Sequence, residues 1–286
     1  MNATITAVPG VTAGHATDAE HHTGCTVLRF DGGARGGLFV PGSAPGSREW
    51  SVFDPSHVAG EIDALVLAGG SAFGLAAADG VMAALAREDI GFDTGMGKVP
   101  IVPAAILFDL HTATRRPTAV DGAVAAEACS EDPLEEGRVG AASGALIGVA
   151  TGSPRPGGLG SSAVQVGEHV VGAVAAVNAA GQVGTVAVDL DAGLPQSAGS
   201  WRGQTTLVAV ATDAPLDRGR CRVLARMAAA GMARVLRPAF TPFDGDVVFA
   251  FSTGSGPSVD NVALARLGDA AAEAVSRAIL RGAGER

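Results

Sequence analysis

The sequence predicts a layered α/β fold in which sheets are covered by helices. Three observations lead there. Apolar runs that are hydrophobic on both faces recur at 64–68, at 169–178, within 203–216 and at 246–254. Strands of that kind belong to sheets with both faces buried. Ala-rich or amphipathic helical segments alternate with them, which places helices on the sheets. Finally, hydrophobic residues are 47% of the chain and charged residues 17%, enough for a large core in 286 residues. Periodicity alone leaves two architectures open: a simple α/β sheet and an α–β–β–α sandwich.

In chain order, residues 1–60 read as short strands and turns. TGCTVLRF (23–30) is a strand that should end at the turn signal DGG. Residues 41–50 form a loop. Residues 62–88 give a strand (Ala64 to Ala68), a glycine turn and an Ala-rich helix. The two prolines in 98–110 suit an edge strand or a strand entry. AVDGAVAAEAC (119–129) is a short helix, and 138–167 is dense in Gly and Ser. A strand then runs from 169 to near Asn178. A helix follows at 217–238, with Leu224, Met227, Ala228 and Val235 near one face. The strand DVVFAFSTG (246–254) leads to a closing helix at 258–282, capped at Ser258 or Asp260. No repeat or linker divides the chain, so one domain over 1–286 is expected.

Composition excludes several function classes. The formal net charge is −9, Lys98 is the one lysine, and there is no basic stripe, so nucleic acid is not an expected partner. Three widely spaced cysteines (Cys25, Cys129, Cys221) form no disulfide framework and fit a reducing compartment. The N-terminus lacks the charged and apolar regions of a signal peptide, and no apolar run is long enough to span a membrane. A cytoplasmic location is expected.

Four stretches carry possible chemistry. GGSAFG (69–74) follows a strand and opens a helix, as a phosphate cradle would. It is not GxGxxG and lacks the Lys-Ser/Thr of a P-loop, so tight strand-to-helix packing explains its glycines equally. His15, His21, His22 and Cys25 do not have structural zinc spacing, and a polar turn accounts for them. No cofactor or metal is expected. Asp244 and Asp246 stand two apart before a strand; on a continuous strand both carboxylates would share a face, while a turn aspartate with a solvated partner fits the pattern equally. Thr205 and Thr206 begin another strand. Taken alone they read as β-branched strand residues.

A threonine hydroxyl needs a base to become a nucleophile, and no histidine stands in an obvious triad with Thr205. A chain cut before Thr205 would supply one: its own new α-amine, which titrates near ~8. That is the N-terminal-nucleophile solution.

At this point a resemblance joins these pieces. GHATD…TGCTV (14–27), APGSRE (44–49), GGSAFGLAAADGVM (69–82), VPIVPAAILFDL (99–110), GGLGSSA (157–163), AVNAAG (176–181), TTLVAVATDAPL (205–216) and DGDVVFAF (244–251) occur in this order. Together they resemble the L-aminopeptidase/D-esterase family, whose relatives include β-peptidyl aminopeptidases and nylon-oligomer hydrolases. The resemblance covers nearly the whole chain. It implies the α–β–β–α sandwich, an inactive precursor that cuts itself at Gln204–Thr205 into chains 1–204 and 205–286, and oligomers, often tetramers, of the cut unit. It also implies Thr205 as nucleophile and Asn178 as support for the oxyanion. Asp244 and Asp246, as in the nylon-hydrolase branch, would orient the Thr205 amine or a substrate ammonium. The implied substrate is a short peptide or amide with a free amino end.

Three positions depart from the family pattern. Gln204 stands where Asn or Gly is frequent, Val149 where many relatives have lysine, and Phe108 where some have a catalytic tyrosine; the chain has no Tyr. These departures keep open an uncut, catalytically impaired member acting as a binding or structural oligomer. A nucleotide- or phosphate-ligand protein built on GGSAFG is the remaining alternative.

Overall fold

A computed structural model describes residues 2–184 and 204–285. The strands of the main sheet are β1 (Val11–Asp18), β2 (Thr23–Phe39), β3 (Gly46–Arg48), β4 (Ile62–Ala68), β5 (Ala104–Ile106), β6 (Gly158–Val166), β7 (His169–Val177), β8 (Leu207–Thr212) and β9 (Val247–Ser252). The helices are α1 (Ala77–Arg87), α2 (Ala119–Glu127), α3 (Arg218–Val235) and α4 (Asn261–Gly282). Hydrogen bonding orders the strands β6-β7-β8-β9-β2-β4-β5-β3, with β1 on the first part of β2.

One expectation fails instructively. The DGG at 31–33 does not end a strand. β2 runs through it, and its register with β4 shifts between Arg29 and Ala34. Gly32 and Gly33 take φ of 73° and 83° there, the left-handed backbone that a bulge requires as much as a turn does. Before the bulge β2 pairs with β1 and β4; after it, residues 35–39 pair with β9. A single bent strand therefore belongs to both layers of the sandwich.

Period-two alternation builds three cores. In β8, Leu207, Ala209 and Ala211 face between the sheets, while Val208 and Val210 face α3 and α4. β9 repeats this, with Val247, Phe249 and Phe251 inward and Val248 and Ala250 toward the helices. β4 mirrors it on the other side: Leu65 and Leu67 point inward, and Ala64, Val66 and Ala68 meet α1 and α2. The two-sided apolar runs thus serve two cores each, and the layers are α–β–β–α. Aromatic rings close the middle: Phe30 lies 4.4 Å from Phe251, and Trp50 meets Phe249 edge-on at 5.7 Å.

Local signals set the ends of the long helices. Asp217 accepts the Arg220 N–H ahead of α3, and Asp260 accepts the Ala263 N–H at 2.8 Å ahead of α4. The latter decides between the two expected caps. Asp260→Ala is expected to lower stability by about 1 kcal/mol, read by urea denaturation. Among the described residues, no helix is long and apolar enough to cross a membrane.

Candidate active site

Sheet register brings three distant segments together. β8 pairs antiparallel with β7, setting Leu207 against Ala176, and parallel with β9, setting Leu207 against Val247. Two residues before Leu207 the same registers align Thr205 with Asn178 and Gly245. The backbone bonds agree: Thr205 N–H donates to Asn178 O at 2.9 Å, and Gly245 N–H donates to Gln204 O at 2.9 Å. Gln204, Thr205, Asn178, Asp244 and Asp246 are all buried, with Thr205 at 4% exposure.

The aspartates are held from different sides. Asp246 accepts the Thr206 N–H at 2.7 Å with Oδ1 and the Phe240 N–H at 3.2 Å with Oδ2. Asp244 accepts the Thr241 N–H at 3.0 Å with Oδ2, while its buried Oδ1 has no hydrogen-bond partner among the described residues. Loop 42–44 wraps the pair: Ser43 and Ala44 N–H donate to Asp244 O, and Gly42 N–H donates to Asp246 O. Burial raises both carboxyls above their ordinary range. Asp246, burdened next by the Asp244 charge, rises to about 7. Two buried carboxyls side by side resist carrying two negative charges. Such a site favours a proton or a nearby cation.

Asn178 is anchored by its own side chain. Its Oδ1 accepts the Leu146 N–H at 2.9 Å, and its Nδ2 donates to Phe108 O at 2.9 Å. One of the two amide N–H bonds is thereby used and one remains. Phe108 thus contributes through its main chain, not its ring. Val149 lies in the turn 148–150, which is hydrogen-bonded to Ala179, Ala180 and Gly181, next in chain to Asn178. Lys98 is remote from this convergence. It pairs with Asp89 at 3.0 Å, in a cavity with Arg29, Glu61 and Asp63 near the N-terminal end of β4. Phe108 follows β5 at the other end of the sheet, where Leu107 N–H meets Ala68 O.

The other candidates have local explanations. His15 contacts Thr26 Oγ1 and Glu135 O, His21 pairs with Asp18 at 3.0 Å, and Cys25 is fully buried, its thiol pushed up to about 12 by that burial. Among the described residues no group of three or more His, Cys, Asp or Glu side chains could hold a metal. In GGSAFG, the Gly70 N–H is spent on Asp109 Oδ1 at 2.6 Å, and a Cβ on Gly69 would lie 2.3 Å from Asp109 Oδ2. These glycines pack against a buried carboxylate, a poor neighbour for a phosphate. Burial raises Asp109 to about 6.

The sequence profile of Peptidase family S58 matches residues 3–283. The chain belongs to peptidase family S58. This S58 protein is 37% identical to an uncharacterized aminopeptidase of Mycobacterium tuberculosis, over 97% of its own length and 92% of the relative's. It is 28% identical to a 6-aminohexanoate-oligomer endohydrolase of a Kocuria species, over 86% and 73%. Among solved structures it resembles the L-aminopeptidase D-Ala-esterase/amidase of Ochrobactrum anthropi, an Ntn-hydrolase fold (TM-score 0.78, 20% identity, 98% and 85% covered). It also resembles a Burkholderia β-aminopeptidase (TM-score 0.76, 24% identity, 99% and 86% covered). The fold is therefore that of the Ntn hydrolases, and this S58 chain is a hydrolase of peptide or amide bonds.

The residues that sequence reasoning missed act through their main chains: Gly245, Ser43 and Ala44, and Leu146. In the sequence, the glycine inside D-G-D is the visible signal for them.

Proposed function

We propose that this S58 protein is a self-processing N-terminal-threonine amide hydrolase. It cleaves Gln204–Thr205 into chains 1–204 and 205–286. Thr205 Oγ then attacks the carbonyl of a short peptide or oligoamide. The Thr205 amine takes the hydroxyl proton and returns it to the leaving amine. The remaining Asn178 amide N–H and backbone donors hold the oxyanion, and water releases the acyl group. The observation that carries this reading is the convergence of Thr205, Asn178, Asp244 and Asp246 from three strands on one buried point. The cut units are expected to form a homo-oligomer, a tetramer by resemblance to the family.

The aspartate pair supports a substrate with a free amino end. Asp244 Oδ1 is buried and unpartnered among the described residues, and a cation would relieve the crowded negative charge. Acetylating the amino group of an otherwise good substrate is expected to lower kcat/KM about ten- to a hundredfold, since a charge-assisted bond is lost. Equal kcat/KM for the free and acetylated forms would remove this assignment. Intact mass and a denaturing gel test the self-processing. Two fragments with the masses of 1–204 and 205–286 support it; one uncut 28.2 kDa chain without turnover identifies an impaired member instead.

A further inference from the structure

The peptide between Gln204 and Thr205 is gripped at both polar atoms. Its carbonyl accepts the Gly245 N–H, and its N–H donates to Asn178 O, each at 2.9 Å. Gly245 is also where the Thr205 hydroxyl packs. A Cβ on Gly245 would lie 2.6 Å from Thr205 Oγ1 and 2.7 Å from the Ala44 carbonyl oxygen. The φ of Gly245 is not left-handed, so space, not backbone conformation, demands glycine here. The nearby Asn178 amide already bonds Phe108 O.

We propose that Gly245 is a catalytic residue of self-cleavage: its N–H is the oxyanion donor at the Gln204 carbonyl, and its missing side chain leaves the berth for the attacking Thr205 Oγ. This rests on the self-processing reading above. Thr205 Oγ forms a bond to the Gln204 carbonyl carbon, and negative charge gathers on Gln204 O. The Gly245 N–H is already in place there and needs no reorganisation as the charge develops. The hydroxyl proton passes to the Thr205 nitrogen, the C–N bond breaks, and the peptide becomes an ester. Through this step Asn178 O retains the departing nitrogen. Water then hydrolyses the ester, giving the Gln204 carboxylate and a free Thr205 hydroxyl and amine.

Gly245→Ala tests this directly. Its Cβ would push the hydroxyl off line, and self-cleavage followed by intact mass is expected to slow about a hundredfold in a chain that still folds, at a lowered unfolding temperature because the Ala44 carbonyl must give way. Hydroxylamine, which cleaves an accumulated ester, should not restore splitting, because attack and not hydrolysis is impaired. Cleavage of Gly245→Ala at the parental rate, or its rescue by hydroxylamine, overturns the proposal. A parent chain that never splits sinks the self-processing reading itself.

A second measurement serves if the alanine variant does not fold. In Thr205→Ala, glycines carry 15N and glutamines 13C at the carbonyl. No glutamine in the chain is followed by glycine, so any N–C correlation crosses a hydrogen bond. A correlation from Gly245 to Gln204 is expected. Its absence in an otherwise complete spectrum overturns the proposal.

Discussion

Thr205→Ala is expected to leave one chain of 28.2 kDa and to lower amide hydrolysis by on the order of 10⁴-fold or more, the scale of losing a nucleophile. Both effects have one cause. In the proposed mechanism the hydroxyl is the attacking group in self-cleavage, and in the cut enzyme it attacks the substrate. Without it the Gln204 carbonyl keeps its bond to Gly245 N–H, but nothing adjacent can add to it. Thr205→Ser keeps the hydroxyl and should still split. Thr206→Val gives the sharper contrast. The buried Thr206 hydroxyl has no partner among the described residues, so an isosteric methyl there is expected to be neutral or stabilising, and the chain should split as before. Measuring mass and turnover across these variants decides which threonine acts. A Thr205→Ala chain that splits or keeps full turnover would refute the assignment.

The second large effect is a pH dependence of stability in the uncut chain. Asp246 titrates at about 7 when folded, above the ordinary carboxylate value near ~4. Between these two values the folded chain holds a proton that the unfolded chain has released. Raising the pH through that window therefore destabilises the fold, and the stabilisation is fully present below ~4. The loss from this group is on the order of 4 kcal/mol, levelling off above neutrality. Asp244, Asp109 and Asp63 are shifted in the same direction by burial, while Asp18, Asp54, Asp121 and Asp217 are held low by their hydrogen bonds. The difference between Thr205→Ala and Thr205→Ala/Asp246→Asn, measured by urea unfolding from pH 4 to 8, isolates the aspartate pair. The double variant should lose most of the slope, with some stability lost at every pH. Asn has one acceptor oxygen for the two N–H groups of Thr206 and Phe240. Identical slopes would show that the pair does not carry a proton near neutrality. Self-cleavage should flatten the parent's slope too, because the new Thr205 ammonium stabilises both carboxylates.

The strands around the site were legible because each is a run of apolar residues with one meaning. The strands expected within 203–216 and over 246–254 are β8 (Leu207–Thr212) and β9 (Val247–Ser252), each shorter than the stretch that signals it. Asp260 was readable as a cap because a carboxylate before a helix has a specific local partner. The DGG of β2 was misread because positive φ at two glycines serves a turn and a bulge alike, and pairing with β9, over two hundred residues away in sequence, selects the bulge. The site residues were legible as residue types. The roles of Phe108 and Gly245 were not, since any amino acid offers the same carbonyl and nearly any the same N–H.

The sequence by itself determined the layered α/β class, the membership in a known family and the short roster of reactive side chains, because composition, alternation and motif order are properties of the chain. Only the tertiary structure decided that β2 is shared by both sheets, that the GGSAFG amide is tied to Asp109, and that Asn178 and Gly245 flank the Gln204–Thr205 peptide. Those outcomes depend on strand register. Register is set by which faces must be buried against which, and that is settled only when all four layers pack together.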